Sequence, residues 1–146
     1  MLYLDTSFLV PLFRSEPSSD AIEAFLRRRR NSVLCTSAWA LVEFSSFLSR
    51  EVRMGLLARD DARSIADQFD QVLDESFELI VPSASDYQVA QVFVRNFSTQ
   101  LRAGDALHLA IAQSNSVGHF YSLDKALLKA AKQLGVTASS GPVLLD

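Results

Sequence analysis

Four acidic side chains stand out for their surroundings. Asp5 ends the short apolar run Met-Leu-Tyr-Leu and is followed at once by two hydroxyls, Thr6 and Ser7, and a second apolar run. Asp124 stands in the same relation to HFYSL, residues 119–123. Asp105 lies at the start of GDALHLAIA, and Glu43 sits four residues from both Trp39 and Phe47, so it interrupts a helical apolar stripe. Taken singly, each Asp suits a helix cap or first turn, and a Glu on a stripe can snorkel to water. Yet a buried carboxylate without a partner is costly, and no Lys or Arg lies at a helical spacing that would pair with Glu43. Four carboxylates in one crevice would repel each other and hold their protons unless a cation compensated them. Hard oxygens without a cysteine cluster suit Mg²⁺ or Mn²⁺.

Such a crevice needs strands that end side by side. The runs 2–4, 32–37, 77–82, 119–123 and 136–139 read as strands, with 119–123 ending just before Asp124. Between and after them, 7–13, 18–30, 37–55, 58–76, 85–97, 104–118 and 124–135 read as helices. Ser18 or Ser19 and Ser37 are candidate caps, and Gly55 is a stop. Strands alternating with helices predict a three-layer α/β/α sandwich around a mostly parallel sheet. Asp5 and Asp124 then lie at carboxyl ends of strands, where open α/β sheets place their sites. They face one crevice if their strands are neighbours where the strand order reverses.

Length and composition agree. The chain has 146 residues, 49% hydrophobic and 21% charged, which suits one globular domain over residues 1–146. No apolar run nears the roughly 20 residues of a membrane span, and the N-terminus lacks the basic region of a secretory signal; a cytoplasmic protein is expected. Cys35 is the only cysteine and reads as a small buried hydrophobe. The net charge of −3 argues against nucleic-acid binding by bulk electrostatics alone. It leaves open an enzyme that grips phosphates through bound cations. The run Arg27–Arg30 reads as a solvated helix end.

The stretches LDTSFLVPLF, SAWALVEFSSFL, LRAGDALHLAIA and FYSLDKALLKAAKQLG, in this order, resemble the PIN-domain nucleases, and most closely the VapC-type toxins of toxin–antitoxin pairs. The resemblance spans the chain. It implies a PIN-like α/β/α sandwich and Mg²⁺- or Mn²⁺-dependent cleavage of RNA phosphodiester bonds by metal-activated water, leaving a 5′-phosphate and a 3′-hydroxyl. The acidic site carries over to Asp5, Glu43, Asp105 and Asp124 as metal ligands and catalytic residues, with Ser7 and Ser122 orienting them from behind. It implies a homodimer, a cognate antitoxin whose tail lies across the site, and transfer RNA or ribosomal RNA as substrate. Arg102 is the first candidate to reach a phosphate, with Arg14, the 27–30 run, Arg50 and Arg53 as others. His108 is within hydrogen-bonding reach of Asp105, though a satisfied, partly buried histidine accounts for it as well.

Rival readings fare worse. A phosphatase of the haloacid dehalogenase type needs a second Asp two residues after the first, where this chain has Ser7. A receiver domain wants an acidic pair at the end of the first strand, and neither rival uses Glu43. The alternative is a catalytically silent PIN-fold module that binds a protein, against which the complete acidic set argues.

Overall fold

The computed structural model describes residues 1–146. Its elements are β1 (Leu2–Leu4), α1 (Thr6–Phe13), α2 (Ser19–Arg27), β2 (Leu34–Ser37), α3 (Ala38–Arg53), α4 (Arg59–Ser76), β3 (Glu78–Ile80), α5 (Ala84–Arg95), a 3₁₀ turn (Phe97–Thr99), α6 (Ala103–Ser114), β4 (His119–Tyr121), α7 (Lys125–Gln133) and β5 (Ala138–Ser139). The sheet runs β3-β2-β1-β4-β5, and every neighbouring pair is parallel. β1 therefore has β2 on one side and β4 on the other. The chain builds outward from β1 to β3, then crosses to start the other half at β4, so the order reverses between β1 and β4. That is the crevice into which strand-end residues project.

Strand alternation sorts the core into two layers. Tyr3 and Phe120 stack at 5.1 Å beneath α5, α6 and α7, in a cluster with Leu109, Ile111 and Leu127. Leu4 and Tyr121 face the other way, onto α1, α2, α3 and α4, where Phe44 and Phe69 stack at 3.9 Å. Each aromatic ring buried here removes ~150–250 Å² from water, which offsets the cost of ordering strands only two to four residues long.

Several local expectations change. Pro11, expected near the start of the first helix where a proline is tolerated, lies in the sixth position of α1 and is buried. Neither Ser18 nor Ser19 caps α2; the Ser19 hydroxyl instead accepts from the Glu16 amide at 2.9 Å. α2 stops at Arg27, so Arg28–Arg30 lie in the turn after it. Ser37 occupies the cap position of α3 without making a cap bond, because its hydroxyl accepts from Tyr3 Oη at 2.8 Å. No helix is long and apolar enough to cross a membrane.

Candidate active site

The four acids come from four segments of chain. Asp5 follows β1, Glu43 lies in the second turn of α3, Asp105 is the third residue of α6, and Asp124 follows β4. All four line one cavity of about 390 Å³, with Ser7, Phe47, Arg50, Arg53 and His108 among its other walls. Arg102 does not line it; this exposed residue occupies the cap position of α6, and Arg50 and Arg53 stand at the cavity instead.

The cap role and the cavity position coincide for two of the acids. Asp5 Oδ1 accepts from the Phe8 amide at 3.0 Å and from Ser7 Oγ at 2.7 Å. Asp124 Oδ1 accepts from the Leu127 amide at 3.0 Å. Capping through one oxygen fixes each carboxyl's direction. Asp105 is not a cap, since Arg102 holds that position. Ser7 and Ser122 tie the two strand ends together. Their hydroxyls lie 3.2 Å apart, the Leu123 amide donates to Ser7 Oγ at 2.8 Å, and the Asp124 amide donates to Ser122 Oγ at 3.0 Å.

Glu43 has partners that its own helix could not supply. Thr6 Oγ1 donates to its Oε1 at 2.7 Å, and His108 Nε2 bonds the same oxygen. His108 Nδ1 is 2.7 Å from Tyr3 Oη, which donates to Ser37. His108 therefore serves Glu43 rather than Asp105, and Tyr3, Ser37 and His108 are all buried. Gly104 makes room for this pairing of α3 and α6. A Cβ there would lie 3.1 Å from Glu43 Oε2 and 3.2 Å from Trp39 Nε1.

The electrostatics follow from this packing. Burial raises the Asp5 carboxyl above its ordinary value, against the opposing charge of His108 and the hydrogen bonds from Ser122, Ser7 and Phe8. Burial, then the charge of Asp124, push Asp105 up to about 6, with Glu43 and Asp5 adding and His108 opposing. Burial alone would raise Glu43 too, but the bond and charge of His108, with the bond from Thr6, bring it below its ordinary value. No Lys or Arg forms an ion pair with any of the four. No three of the acidic, His or Cys side chains close into a ready-made ligand cluster.

A pH dependence follows. Asp105 binds its proton more tightly folded, near 6, than its ordinary 3.8. Its contribution to stability is present below about pH 4 and lost as pH rises through about 6. In EDTA, Asp105→Asn is expected to melt at increasingly higher temperature than wild type as pH goes from 4 to 6, with the difference level above about pH 7. A difference that stays constant across a calorimetric pH series would contradict the raised proton affinity.

Residues 2–133 match the family described as PIN domain. The chain is 34% identical over 140 residues to ribonuclease VapC35 of Mycobacterium tuberculosis, covering 93% of each chain. Among solved structures, VapBC2 from Rickettsia felis, bound to a DNA fragment from its promoter, superposes with a TM-score of 0.72 at 16% identity over 95% of this chain and 98% of that one. Mycobacterium tuberculosis VapC20, described as a sarcin-ricin loop cleaving toxin, has a TM-score of 0.70 at 19% identity over 89% and 95%. At such identities these two superpositions concern the fold alone.

Proposed function

Because the chain belongs to the PIN-domain family, we propose that it is an Mg²⁺- or Mn²⁺-dependent endoribonuclease, the toxin of a toxin–antitoxin pair. The observation that carries this is the cavity itself: four carboxylates from distant segments, none ion-paired to Lys or Arg, one pushed up to about 6. An all-oxygen, negatively charged donor set fits a hard divalent cation. Asp5, Glu43, Asp105 and Asp124 would hold it. When bound, the cation supplies Lewis-acid polarisation of the phosphodiester and makes water a stronger acid.

The chain's own residues do the positioning. Ser7 orients Asp5 by donating to Oδ1, and Ser122 holds the backbone at Asp124. Thr6 and His108 engage one oxygen of Glu43. Hydrolysis adds the water oxygen to phosphorus and expels the 3′ oxygen, so the products carry a 5′-phosphate and a 3′-hydroxyl.

The ribonuclease name of VapC35 supports RNA as the substrate, and transfer RNA or ribosomal RNA is the proposed target. The VapBC2 pair supports an antitoxin as partner, and a homodimer is the proposed assembly. The test is cleavage of total transfer and ribosomal RNA by the purified chain, freed of any partner, with Mg²⁺, Mn²⁺ or EDTA. Cleavage that needs the metal and yields 5′-phosphate ends is expected. A folded chain that neither cuts RNA nor melts higher with either metal would overturn the reading and favour the protein-binding module.

A further inference from the structure

Several arginines are committed away from the acidic cavity. Arg14 is bound to Glu51 and to the Leu56 carbonyl. Arg27 pairs with Glu23, and Arg29 lies 3.5 Å from the centre of the Phe25 ring and donates to that residue's carbonyl. Arg63 pairs with Asp60. Arg50 and Arg53 have no carboxylate partner, and both line the cavity. They do so because Glu43, Ser46, Phe47, Arg50 and Arg53 recur at helical spacing, which turns one continuous stripe of α3 toward it. Over ten residues at 1.5 Å each, the stripe runs about 15 Å. It begins at an acid, passes a hydroxyl and an aromatic ring, and ends in two cations. Arg53 also lines a second hollow, of about 350 Å³, shared with Arg59 at the start of α4.

We propose that an unpaired segment of RNA lies along this stripe. Its scissile phosphate sits at the four acids, a base rests against Phe47 beside Arg50, and neighbouring phosphates meet Arg50 and Arg53 on the way to Arg59. This rests on the ribonuclease reading above and deepens it. The Arg50 guanidinium carbon is 5.8 Å from the Phe47 ring centre, so ring and cation stand together on the cavity wall. That pairing accepts the face of any base. A base reaches such a platform only when it is splayed out of a helix, which loops and single strands allow and a duplex does not. Arg53 donates to Ser49 Oγ at 2.7 Å, which steadies it and leaves its other donors free. An acidic protein tail could also meet the two arginines, but the ring set between them and the acids suits a base, which a run of carboxylates does not have.

The test separates this from the nuclease reading. The Asp5→Asn protein in EDTA, which cuts nothing, is titrated by fluorescence anisotropy with a single-stranded RNA and with the same strand in a duplex, across a salt series. Wild-type cleavage of the single strand with Mn²⁺ runs in parallel. Arg50→Ala/Arg53→Ala is expected to weaken single-strand binding at least tenfold and to raise KM while largely keeping kcat. It should make the plot of log affinity against log salt shallower by about 1.4, at ~0.7 for each phosphate left without its arginine. Phe47→Leu should weaken the single strand several-fold. Lys129→Ala/Lys132→Ala, on exposed residues of α7, should change nothing. Unchanged binding and KM in Arg50→Ala/Arg53→Ala, with wild type still cutting, overturn the track, keep the nuclease and leave the stripe to a protein partner. Duplex bound as tightly as the single strand also overturns it. A wild type that cuts no RNA with either metal sinks the nuclease reading, and the track with it.

Discussion

Asp5→Asn is expected to abolish RNA cleavage and, in EDTA, to melt at a higher temperature than the wild type. The two effects have different causes. Asp5 is 3% exposed, and burial raises its carboxyl above the ordinary value, so its charge is unfavourable in the folded, metal-free chain. Asn keeps an oxygen for the Phe8 amide and for Ser7 Oγ, and Asn caps helices as well as Asp does. The substitution therefore removes a buried charge and keeps the cap. It also removes a proposed direct ligand. Losing a partner that only orients a ligand typically costs ~10–100-fold, so losing Asp5 itself should exceed about 10²-fold in kcat/KM. Metal binding gives a second readout. A cation at 100 times its Kd stabilises a folded chain by about 2.7 kcal/mol. Mn²⁺ should thus raise the melting temperature of the wild type and leave that of Asp5→Asn unmoved. A variant that still cuts, or that gains as much from Mn²⁺ as wild type does, would sink the assignment of Asp5 as a ligand.

What could be read in the sequence was local. Asp5 and Asp124 each stop a short apolar run with a helix directly behind, a pattern visible within ten residues, and both lie where that pattern puts them. That they line one cavity depended on β1 and β4 being neighbours, which strand alternation leaves open and the pairing of the two strands settles. Glu43 could be seen to need a partner, because it breaks an apolar stripe. The partner could not be found by counting along the helix, since His108 is 65 residues away on α6. Ser37 looked like a cap because its type and position suit one; its hydroxyl went to Tyr3, 34 residues earlier. The arginines show the same limit from the other side. Arg50 and Arg53 stand among several candidate phosphate contacts beside the more conspicuous run at 27–30, and only the cavity singles them out, while Arg28–Arg30 lie in the turn after α2.

His108→Ala should show how much that distant partner matters. The ring is 1% exposed, and both nitrogens are engaged, one by Glu43 and one by Tyr3 Oη. Removing it opens a void and strips a partner from each, for a loss of about 3 kcal/mol, or roughly 10 °C in melting temperature for a chain of this size. Weaker packing alone would not depend on pH between 3 and 7, so pH separates it from the missing bond. Glu43 lies below its ordinary 4.5 in the folded chain, with His108 the leading cause that lowers it. A lowered carboxyl contributes stability that is present above its unfolded value and lost as pH falls through its folded one. The gap between wild type and His108→Ala should therefore widen from pH 3 to pH 6. Cleavage, assayed at a temperature where both are folded, should fall about 10–100-fold, the scale of losing a residue that orients a ligand. His108→Gln, whose amide N–H extends toward the same carboxyl, should recover a good part of that activity with less of the stability. Equal activity in His108→Ala and wild type would make His108 a packing residue and leave the position of Glu43 to Thr6 and the α3–α6 contact at Gly104.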